Sequence, residues 1–375
     1  MIGSPDVIVI GSGVVGAMCA MQLAESGLAV TVVEEGFGGG GSTGAAMGHI
    51  VVMDDSAAQR DLAAHSRARW GEILPTLPVD PSYDQCGTMW LAADDEELAI
   101  AGARAAAYTA AGVGAEVIDA HSLAALEPAL RPGLAGALLV PGDGVCYPPA
   151  AARGLLMRAQ AAGATLLQGT AASITTGRVV MADGSKLHAG AIVIAAGIGS
   201  NRLIPALPIV PRKGHLIITN RRPGMVRHQL VELGYLASAH GMGAASVAFN
   251  VQPRPGGQLL VGSSRELVGF DASINRELCG RMLTRAISML PDLAAAAVWR
   301  TWTGFRPATP DSLPLIGKWL PVDGVWIAAG HEGLGITMAP GTADMIVASI
   351  MGTPAPLDIA PFDPCRAMPA HEAFA

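Results

Sequence analysis

Glycines near the start of the chain have the spacing of a turn that binds phosphate. The segment Gly11–Gly16 reads GSGVVG, follows the apolar run Val7–Ile10 and precedes a helical pattern that ends at Gly27. A second apolar run then ends at Glu34, 18 residues after Gly16. This order of strand, glycine turn, helix, strand and acid is typical of a dinucleotide-binding βαβ unit. A chance glycine turn is the alternative when the spacing stands alone, but the flanking elements make the motif specific.

Each position of this unit has a physical role. Gly11 permits the tight turn, Gly13 lets the backbone approach a pyrophosphate, and Gly16 lets the helix pack closely on the strand. The first helical residues, Val14 and Val15, present free N–H groups to the phosphates. These residues are therefore predicted to bind the cofactor.

The residues that follow extend the predicted cofactor site. Glu34 is expected to accept hydrogen bonds from the adenosine ribose, with Glu35 beside it, and its charge disfavours a 2′-phosphate. The ligand is thus FAD or NAD rather than NADP. The glycine-rich run Gly36–Ile50 contains Ser42 and Thr43 and suits a backbone that lies along an extended dinucleotide. A flexible surface loop is the alternative for this run.

A second glycine-rich segment lies far along the chain, where Gly330–Ala343 reads GHEGLGITMAPGTA. A metal site, an acid–base pair and a backbone cradle are its three possible interpretations. An HExxH zinc motif needs a second histidine four residues after His331, and that position is Gly335. Glycines followed by apolar residues at helical spacing favour a helix that starts near Gly335–Thr337 and points its positive end at a ligand.

The composition excludes several classes of protein. Of the 375 residues, 51% are hydrophobic and 15% charged, which is typical of a compact globular enzyme. The formal net charge of −7 provides no basic footprint for nucleic acid. The five cysteines are scattered without a CxxC pair, which predicts free thiols and no metal or cluster ligation. The uncharged segment 7–24 is interrupted by glycines, so we expect a buried strand and helix in a soluble, cytoplasmic protein without a membrane span.

The elements that must position these residues predict an α/β fold with interleaved domains. Ala191–Gly197 is a fully apolar run typical of a central parallel strand. Arg212–Asp271 contains alternating runs such as HLIIT and SVAFNVQP, which predict an antiparallel sheet. Helices are predicted at Asp94–Ala111, Tyr147–Ala162 and Asn275–Leu290.

The motifs, taken in order, resemble those of a known family. GSGVVG, LEPAL, GDGVCYPP, VIAAG, GFRPATPDSLPLIG and GHEGLGIT cover nearly the whole chain and are similar to motifs of the D-amino-acid oxidase (DAO) family of FAD-dependent amine oxidoreductases. Within that family, MGHIVVMDD, RKGHLIIT and SVAFNVQPRPGGQLLVGSS are most similar to D-hydroxyproline dehydrogenases. Opine oxidases and the catalytic subunits of hydrogen cyanide synthase are similar as well.

The resemblance implies a domain organisation and further cofactor contacts. It implies a glutathione-reductase-type FAD-binding domain at 1–85, 145–210 and 302–365, a substrate domain at 86–144 and 211–301 that contains a large sheet, and a tail at 366–375. Ser42 and Thr43 would follow the pyrophosphate and ribityl chain. The other residues that it assigns to FAD are Met47, Gly48, His49, Ala171, Ala196, Gly197, Arg306, Gly333, Leu334, Gly335, Ile336 and Thr337.

The resemblance also implies a reaction and a substrate site. Arg306 matches the position that holds the substrate carboxylate, and a guanidinium suits that group because it binds carboxylates bidentately. The alternative is a structural arginine paired with Asp311. His49, Tyr235 and His331 are candidates for lining the pocket, although structural roles are as plausible for the histidines. The α C–H of an amino or imino acid would leave as hydride to the flavin N5, giving an imine.

Departures from the family pattern imply further properties. No cysteine lies between Cys279 and Cys365, so FAD is expected to be non-covalent. No lysine lies between Asn220 and Gly317, which favours an electron acceptor other than oxygen. The relatives imply partner subunits with iron–sulfur or other electron-accepting centres. A catalytically silent FAD subunit and a pyridine-nucleotide dehydrogenase are the rival classes.

Overall fold

Most of the described strands belong to two large sheets that face a common cavity, and the others form a three-stranded sheet and a two-stranded sheet. The computed structural model describes residues 4–53, 56–234 and 245–368. Its helices are α1 (Val14–Glu25), α2 (Gly41–Ala45), α3 (Ala57–Ile73), α4 (Asp95–Ala110), α5 (Ala120–Leu126), α6 (Pro148–Ala161), α7 (Ser200–Leu203), α8 (Arg276–Met289) and α9 (Gly335–Met351).

The strands are numbered in chain order. They are β1 (Val7–Ile10), β2 (Val30–Glu34), β3 (His49–Ile50), β4 (Thr88–Ala92), β5 (Glu116–Asp119), β6 (Gly136–Val140), β7 (Gly144–Val145), β8 (Thr165–Gln168), β9 (Ala171–Thr175), β10 (Arg178–Met181), β11 (Lys186–His188), β12 (Ala191–Ile194), β13 (Val210–Arg221), β14 (Gln229–Glu232), β15 (Ser246–Pro253), β16 (Gln258–Arg265), β17 (Val298–Ala308), β18 (Leu315–Lys318) and β19 (Val325–Ala329).

The first sheet has six strands in the order β18-β19-β12-β1-β2-β8. All neighbours are parallel except β18 and β19. The central strand β1 is buried on both faces, which explains its uninterrupted apolar sequence. Helix α1 is buried nearly all round because it packs between this sheet, α6 and α9. The carboxyl ends of β1, β2 and β12 therefore meet at one edge, where a dinucleotide binds in such folds.

The second sheet has eight strands in the order β17-β13-β16-β15-β14-β4-β6-β5. Its neighbours are antiparallel except β14 and β4. One face packs on α8 through residues such as Ile217, Phe249 and Val261. The residues that alternate with these point to the other face, which is turned toward the first sheet. This second face supplies the wall of the cavity opposite the dinucleotide edge.

The predicted helices agree with the structure to within a residue or two. α4 begins after Asp94, whose side chain accepts a hydrogen bond from the Glu97 N–H at 2.9 Å. Asn275 caps α8 in the same way through the Leu278 N–H at 3.1 Å. Short polar side chains at these positions satisfy N–H groups that the helix cannot, and so define where it begins.

The glycine-rich run, which was predicted to lie along an extended dinucleotide, contains a short helix. Residues Gly41–Ala45 form the short helix α2, which is fixed at two points. The Ser42 hydroxyl donates to the Phe305 carbonyl at 2.5 Å, and the Ala45 methyl packs where Gly304 has no side chain. The run is therefore docked on β17 and is not a flexible surface loop.

One predicted domain boundary does not coincide with the end of a strand. All eleven residues of this strand, Val298–Ala308, belong to the eight-stranded sheet. The predicted boundary between residues 301 and 302 falls inside it. The remaining boundaries stay predictions. No helix among residues 4–53, 56–234 and 245–368 is long and apolar enough to cross a membrane.

Candidate active site

A cavity of about 700 Å³ lies between the edge of the first sheet and the free face of the second. Most of the residues predicted to bind the cofactor are on its walls. They are Gly11, Gly13, Val14, Val15, Glu34, Glu35, Ser42, Thr43, Met47, Gly48, His49, Ala171, Ala196, Gly197, Arg306, Gly333, Leu334, Gly335 and Ile336. The motifs at the two ends of the chain thus meet in one place.

The glycines of the first motif admit close backbone contacts. Gly11 has φ +102°, and a Cβ there would lie 2.5 Å from the Ala195 carbonyl oxygen. A Cβ on Gly16 would lie 2.0 Å from the Gly11 carbonyl oxygen. Gly16 is not among the residues that line the cavity. Its predicted packing role agrees with the structure, and its predicted contact with the cofactor stays a prediction. Both positions require glycine because another backbone segment occupies the space of a side chain.

The N-terminus of α1 opens into the cavity. Its N-cap residue is Gly13, which has no side-chain capping hydrogen bond. The Val14 N–H donates to the Thr43 hydroxyl at 3.1 Å, which also holds the α2 segment against this helix. The positive end of a 12-residue helix at a glycine-lined wall fits a pyrophosphate.

The carboxylate of Glu34 is held rigidly at one end of the cavity. It accepts hydrogen bonds from the Ser12 N–H and hydroxyl, both at 2.7 Å, and from the Gly36 N–H at 2.8 Å. The adjacent Glu35 forms an ion pair with Arg202 at 2.5 Å. Ala171, at the start of β9, lines the same end. The fixed acid, the glycine turn and the helix N-terminus together fit the adenosine diphosphate half of a dinucleotide.

The C-terminal glycine segment forms the wall at the N-terminus of α9. The helix begins at Gly335, as predicted, and has no side-chain cap. Thr337 is fully buried, and its hydroxyl donates to the His49 carbonyl at 2.9 Å and accepts from the Val51 N–H at 3.2 Å. It ties α9 to β3 and is not among the cavity-lining residues, so its predicted cofactor contact stays a prediction.

Arginine side chains from three strands project from the second sheet. Arg212 on β13 and Arg306 on β17 are direct partners across the two antiparallel strands, so their side chains share a face. The Arg306 guanidinium lies over Gly214, where a Cβ would be 2.4 Å from Nη1, and Nη1 donates to the Ser264 carbonyl at 3.0 Å. Arg265 on β16 completes the group. All three arginines line the cavity.

The carboxylate of Glu332 lies among these arginines. It accepts a hydrogen bond from Arg212 at 3.1 Å, and its Oε1 is 3.8 Å from Nε of Arg265. Burial alone would raise the pKa of Glu332, but Arg265, Arg306 and Arg212 hold it below the ordinary value. Glu332 is therefore ionised, and the four groups carry a formal charge of +2.

Three cavity-lining side chains bring buried polar atoms to the same region. These atoms are Nε2 of His49, Oδ1 of Asn250 and Oγ of Ser263, and none has a hydrogen-bond partner among the described residues. Burial lowers the pKa of His49 to about 4; Gln252 opposes this shift, while Arg306 and Arg254 add to it. His49 is thus neutral at physiological pH. These atoms are therefore available to a polar group that binds in the cavity.

Of the other candidates from the sequence, His331 also lines the cavity. His331 is 3% exposed, and its Nε2 is 2.9 Å from the Thr342 hydroxyl, so its polar atom is engaged by α9. Burial lowers its pKa to about 3. Tyr235 lies outside the described residues. The alternative pairing of Arg306 with Asp311 is wrong, because Asp311 pairs bidentately with Arg366 at 2.8 and 2.9 Å.

The lysine nearest to this site faces the opposite side of the sheet. Lys213 is 1% exposed, and its Nζ lies 3.2 Å from Asp271 and 3.8 Å from Glu266. Neither a lysine nor a cysteine is among the cavity-lining residues in the part of the chain that the structure describes.

Sequence reasoning missed Arg212, Arg265, Asn250 and Ser263 as site residues. They lie in three strands of one sheet, and the pairing register that brings them together is not visible in local sequence. One signal was available: the RKGHL segment at 212–216 places an arginine, a glycine and a leucine on one face of a strand. That spacing could have identified Arg212.

Comparison with known proteins identifies the family. The family model "DAO: FAD dependent oxidoreductase" matches residues 6–349. A glycine oxidase of Geobacillus kaustophilus is 29% identical over 96% of this chain and 97% of its own, and its crystal structure superposes with a TM-score of 0.86 at 26% identity, covering 97% and 99% of the two chains. The hydrogen cyanide synthase subunit HcnC of Pseudomonas aeruginosa is 28% identical over 99% and 98%. The predictions of fold class, FAD and oxidoreductase activity are confirmed, and the chain belongs to the DAO family of FAD-dependent oxidoreductases.

Proposed function

We propose that the protein oxidises the CH–NH group of a small α-amino or α-imino acid. One observation carries this proposal: Arg306 projects from the sheet into the same cavity whose opposite wall fits a dinucleotide. A carboxylate on this guanidinium would be held between the two walls. The names of the relatives, glycine oxidase and hydrogen cyanide synthase subunit, support an amine substrate.

The first wall would hold FAD through backbone more than through side chains. The N-terminus of α1 and the glycines around it would bind the pyrophosphate, with Glu34 on the adenosine ribose. The N-terminus of α9 would face the other end of the cofactor. When bound, FAD supplies the two-electron acceptor for the hydride of the substrate α C–H bond, leaving the substrate as an imine.

The second wall would position the substrate. Arg306 would bind the carboxylate bidentately, and its rigid attachment across β17 and β13 would fix the α-carbon. The unpaired atoms of His49, Asn250 and Ser263 would receive the amine or another polar group of the substrate. His49 is neutral at physiological pH, so it can contact an amine without a charge penalty. A strong general base is not required.

The finer assignments rest on the resemblance of motifs. These favour a cyclic imino acid, D-hydroxyproline or proline, with glycine, sarcosine and opines as alternatives. Electrons would pass to an acceptor other than oxygen, and the lack of a lysine among the described cavity residues supports this. One relative is named a subunit, which supports partner subunits with iron–sulfur or other electron-accepting centres. A cytoplasmic location is part of the same proposal.

Anaerobic flavin reduction tests the proposed function. Purified holoenzyme is mixed with both enantiomers of proline and hydroxyproline, with glycine, sarcosine and opines, and the flavin absorbance near 450 nm is followed. We expect at least one amino or imino acid to bleach the flavin. Bleaching by none would instead favour a catalytically silent FAD subunit.

A second measurement identifies the electron acceptor. The best substrate is assayed in air without a dye, and anaerobically with an artificial electron acceptor. Turnover with the dye and little hydrogen peroxide in air is the expected result. Rapid peroxide formation would show an oxygen-using oxidase.

A further inference from the structure

Glycines on three neighbouring strands of the second sheet have side chains from elsewhere in the space that a Cβ would need. A Cβ on Gly304 of β17 would lie 2.5 Å from the Ala45 methyl carbon, and one on Gly262 of β16 would lie 2.8 Å from the Met47 sulfur. Both of these contacts dock the segment before β3 on the sheet. Gly214, on the strand β13 between them, receives a different kind of group.

The space above Gly214 holds the end of the Arg306 side chain. The three atoms nearest to a Cβ at Gly214 are Nη1, Nη2 and Cζ of this arginine, and the farthest of them would lie only 2.9 Å away. A methyl group and the guanidinium therefore cannot both occupy this space. Gly214 lies within β13 and is not among the residues with positive φ, so its backbone conformation does not require glycine. The requirement comes from the guanidinium.

Two further contacts help to fix the guanidinium. Nη1 donates a hydrogen bond to the Ser264 carbonyl at 3.0 Å. On the opposite wall, a Cβ on Gly333 would lie 3.7 Å from Nε and 3.8 Å from Cδ of Arg306, an ordinary van der Waals distance. The side chain thus passes beside the segment before α9 and ends above β13. Because an arginine has many rotamers, a space that holds its end selects among them before a substrate arrives.

We propose that Gly214 is a positioning residue that sets the place of the Arg306 guanidinium for the substrate carboxylate. This inference rests on the proposed function, because Gly214 acts through the arginine that would bind that carboxylate. A guanidinium binds a carboxylate through two parallel hydrogen bonds, so a shift of the guanidinium by the width of a methyl group misaligns both. Misplacing the reacting atoms by about 1 Å can lower a rate by about 100-fold.

Gly214→Ala tests the proposal, because the added methyl group meets the end of a flexible side chain and not backbone. The protein should fold and bind FAD, with the guanidinium displaced. We expect kcat/KM for flavin reduction by the best amino or imino acid to fall at least tenfold. Gly280→Ala is the control, since Gly280 is exposed on α8 and nothing outside the helix backbone lies within 4 Å of the added Cβ. It should keep the kcat/KM of the unmodified enzyme.

A double-mutant cycle distinguishes positioning from a general structural role. Gly214→Ala and Arg306→Ala are compared with the variant that carries both substitutions. If Gly214 acts through Arg306, adding Gly214→Ala to Arg306→Ala should change kcat/KM by less than twofold, because no guanidinium remains to be displaced. An equal loss in both backgrounds would show that Gly214 supports the sheet, which would overturn the proposal.

The same cycle decides the matter if Gly214→Ala alone purifies without FAD. Adding Arg306→Ala removes the clash and should restore FAD binding and the melting temperature of the Arg306→Ala variant. A double variant that also lacks FAD would contradict the proposal.

Gly304→Ala is a matched comparison at the direct cross-strand partner of Gly214. Its methyl group meets Ala45 of α2 and not Arg306. We expect it to lower the FAD content, and to do so equally with and without Arg306→Ala. The two glycines should thus differ in whether their effect depends on Arg306, and the same dependence at both would contradict a specific role of Gly214.

A binding measurement provides a readout that does not depend on turnover. The holoenzyme is titrated with acetate and with acetamide, which differ in charge but little in shape, while the flavin spectrum is recorded. Gly214→Ala should weaken acetate binding at least tenfold and leave acetamide binding nearly unchanged. Equal weakening of both ligands would indicate a general change of the cavity and would overturn the proposal.

The outcomes separate this inference from the proposed function. If no amino or imino acid reduces the flavin, the proposed function fails, while acetate binding still measures the effect of Gly214 on Arg306. If the flavin is reduced and Gly214→Ala keeps both kcat/KM and acetate affinity, the proposed function stands and the inference is wrong.

Discussion

The two walls of the cavity are built from different parts of the chain. The wall that fits the dinucleotide consists largely of backbone: glycines at 11 and 13 and the N-termini of α1 and α9. The opposite wall consists of side chains on β13, β15, β16 and β17, three of them arginines. The first wall presents N–H groups and helix dipoles, and the second presents full charges and unpaired polar atoms.

The first wall would bind the dinucleotide, a task shared with relatives of the same fold, and the second would bind one particular substrate. Binding a dinucleotide requires a backbone that comes close, so the residue types allowed there are few. Binding one substrate requires particular side chains at particular strand positions, and these can be changed without altering the fold. The charge and unpaired groups of the second wall are therefore where this protein should differ from relatives that share its fold.

The largest effect should follow from adding a side chain to the backbone wall. Gly11→Ala places a methyl group 2.5 Å from the Ala195 carbonyl oxygen at a residue with φ +102°. We expect a loss of about 4 kcal/mol or more in stability and purification with little FAD. The measurements are the flavin-to-protein absorbance ratio and the free energy of unfolding.

Gly27→Ala is the control for this substitution. Gly27 has a similar φ of +88°, but nothing lies within 4 Å of the added Cβ. It should cost about 1–2 kcal/mol from backbone strain alone and retain FAD. Equal FAD loss in both variants would show that strain, and not the closeness of the two backbone segments, sets the requirement for glycine.

The second-largest effect should be a loss of activity from a change in the wall of side chains, without a loss of bound FAD. Arg306→Ala removes the guanidinium predicted to bind the substrate carboxylate. We expect kcat/KM for flavin reduction to fall by about 2–4 kcal/mol, or roughly 30- to 1000-fold, because a charge-assisted bidentate contact is lost. The FAD content should remain close to that of the unmodified enzyme.

Arg300→Ala is the matched control on the same strand. Arg300 is exposed, stacks over the Trp302 ring at 5.5 Å and does not line the cavity. Its kcat/KM should change little. If Arg306→Ala leaves kcat/KM unchanged, Arg306 does not bind the substrate carboxylate, and the proposed substrate-binding role of the second wall loses its main support.

The difference between the two walls also explains which site residues could be predicted from the sequence. Gly11, Gly13 and Glu34 lie within one βαβ unit, where local spacing determines their relative positions. Gly335 was located because a change to helical periodicity follows it directly. Both signals depend on short stretches of chain, so the elements could be predicted before their arrangement was known.

The arginine group shows what local sequence cannot specify. Arg212, Arg265 and Arg306 come together only through the pairing of β13 with β16 and β17, and a shift of one residue would turn any of them to the other face. Lys213 demonstrates this, because it neighbours Arg212 in sequence but pairs with Asp271 behind the sheet. Thr337 gives a related example: the motif predicted its place at the start of α9, but not that its hydroxyl bonds to the backbone of His49.

The last predicted effect is a loss of stability in acid that comes from the wall that fits the dinucleotide. The turn before α9 contains His331, whose pKa burial lowers to about 3. The ordinary value in the unfolded chain is about 6.5. Below pH 6.5 the unfolded chain therefore binds more protons at this position than the folded protein does. Its contribution to stability is lost as pH falls, by about 3 kcal/mol at pH 4.5.

His331→Gln tests this linkage because an amide can still bond to Thr342 but does not titrate. Thermal unfolding of the holoenzyme is followed between pH 4.5 and 8, with His121→Gln at an exposed histidine as the control. His331→Gln should show a smaller drop in stability between pH 6.5 and 4.5 than the unmodified protein or the control. An identical drop would mean that this histidine is not kept neutral by burial. Acid sensitivity would then have to come from other groups, among them His49 on β3.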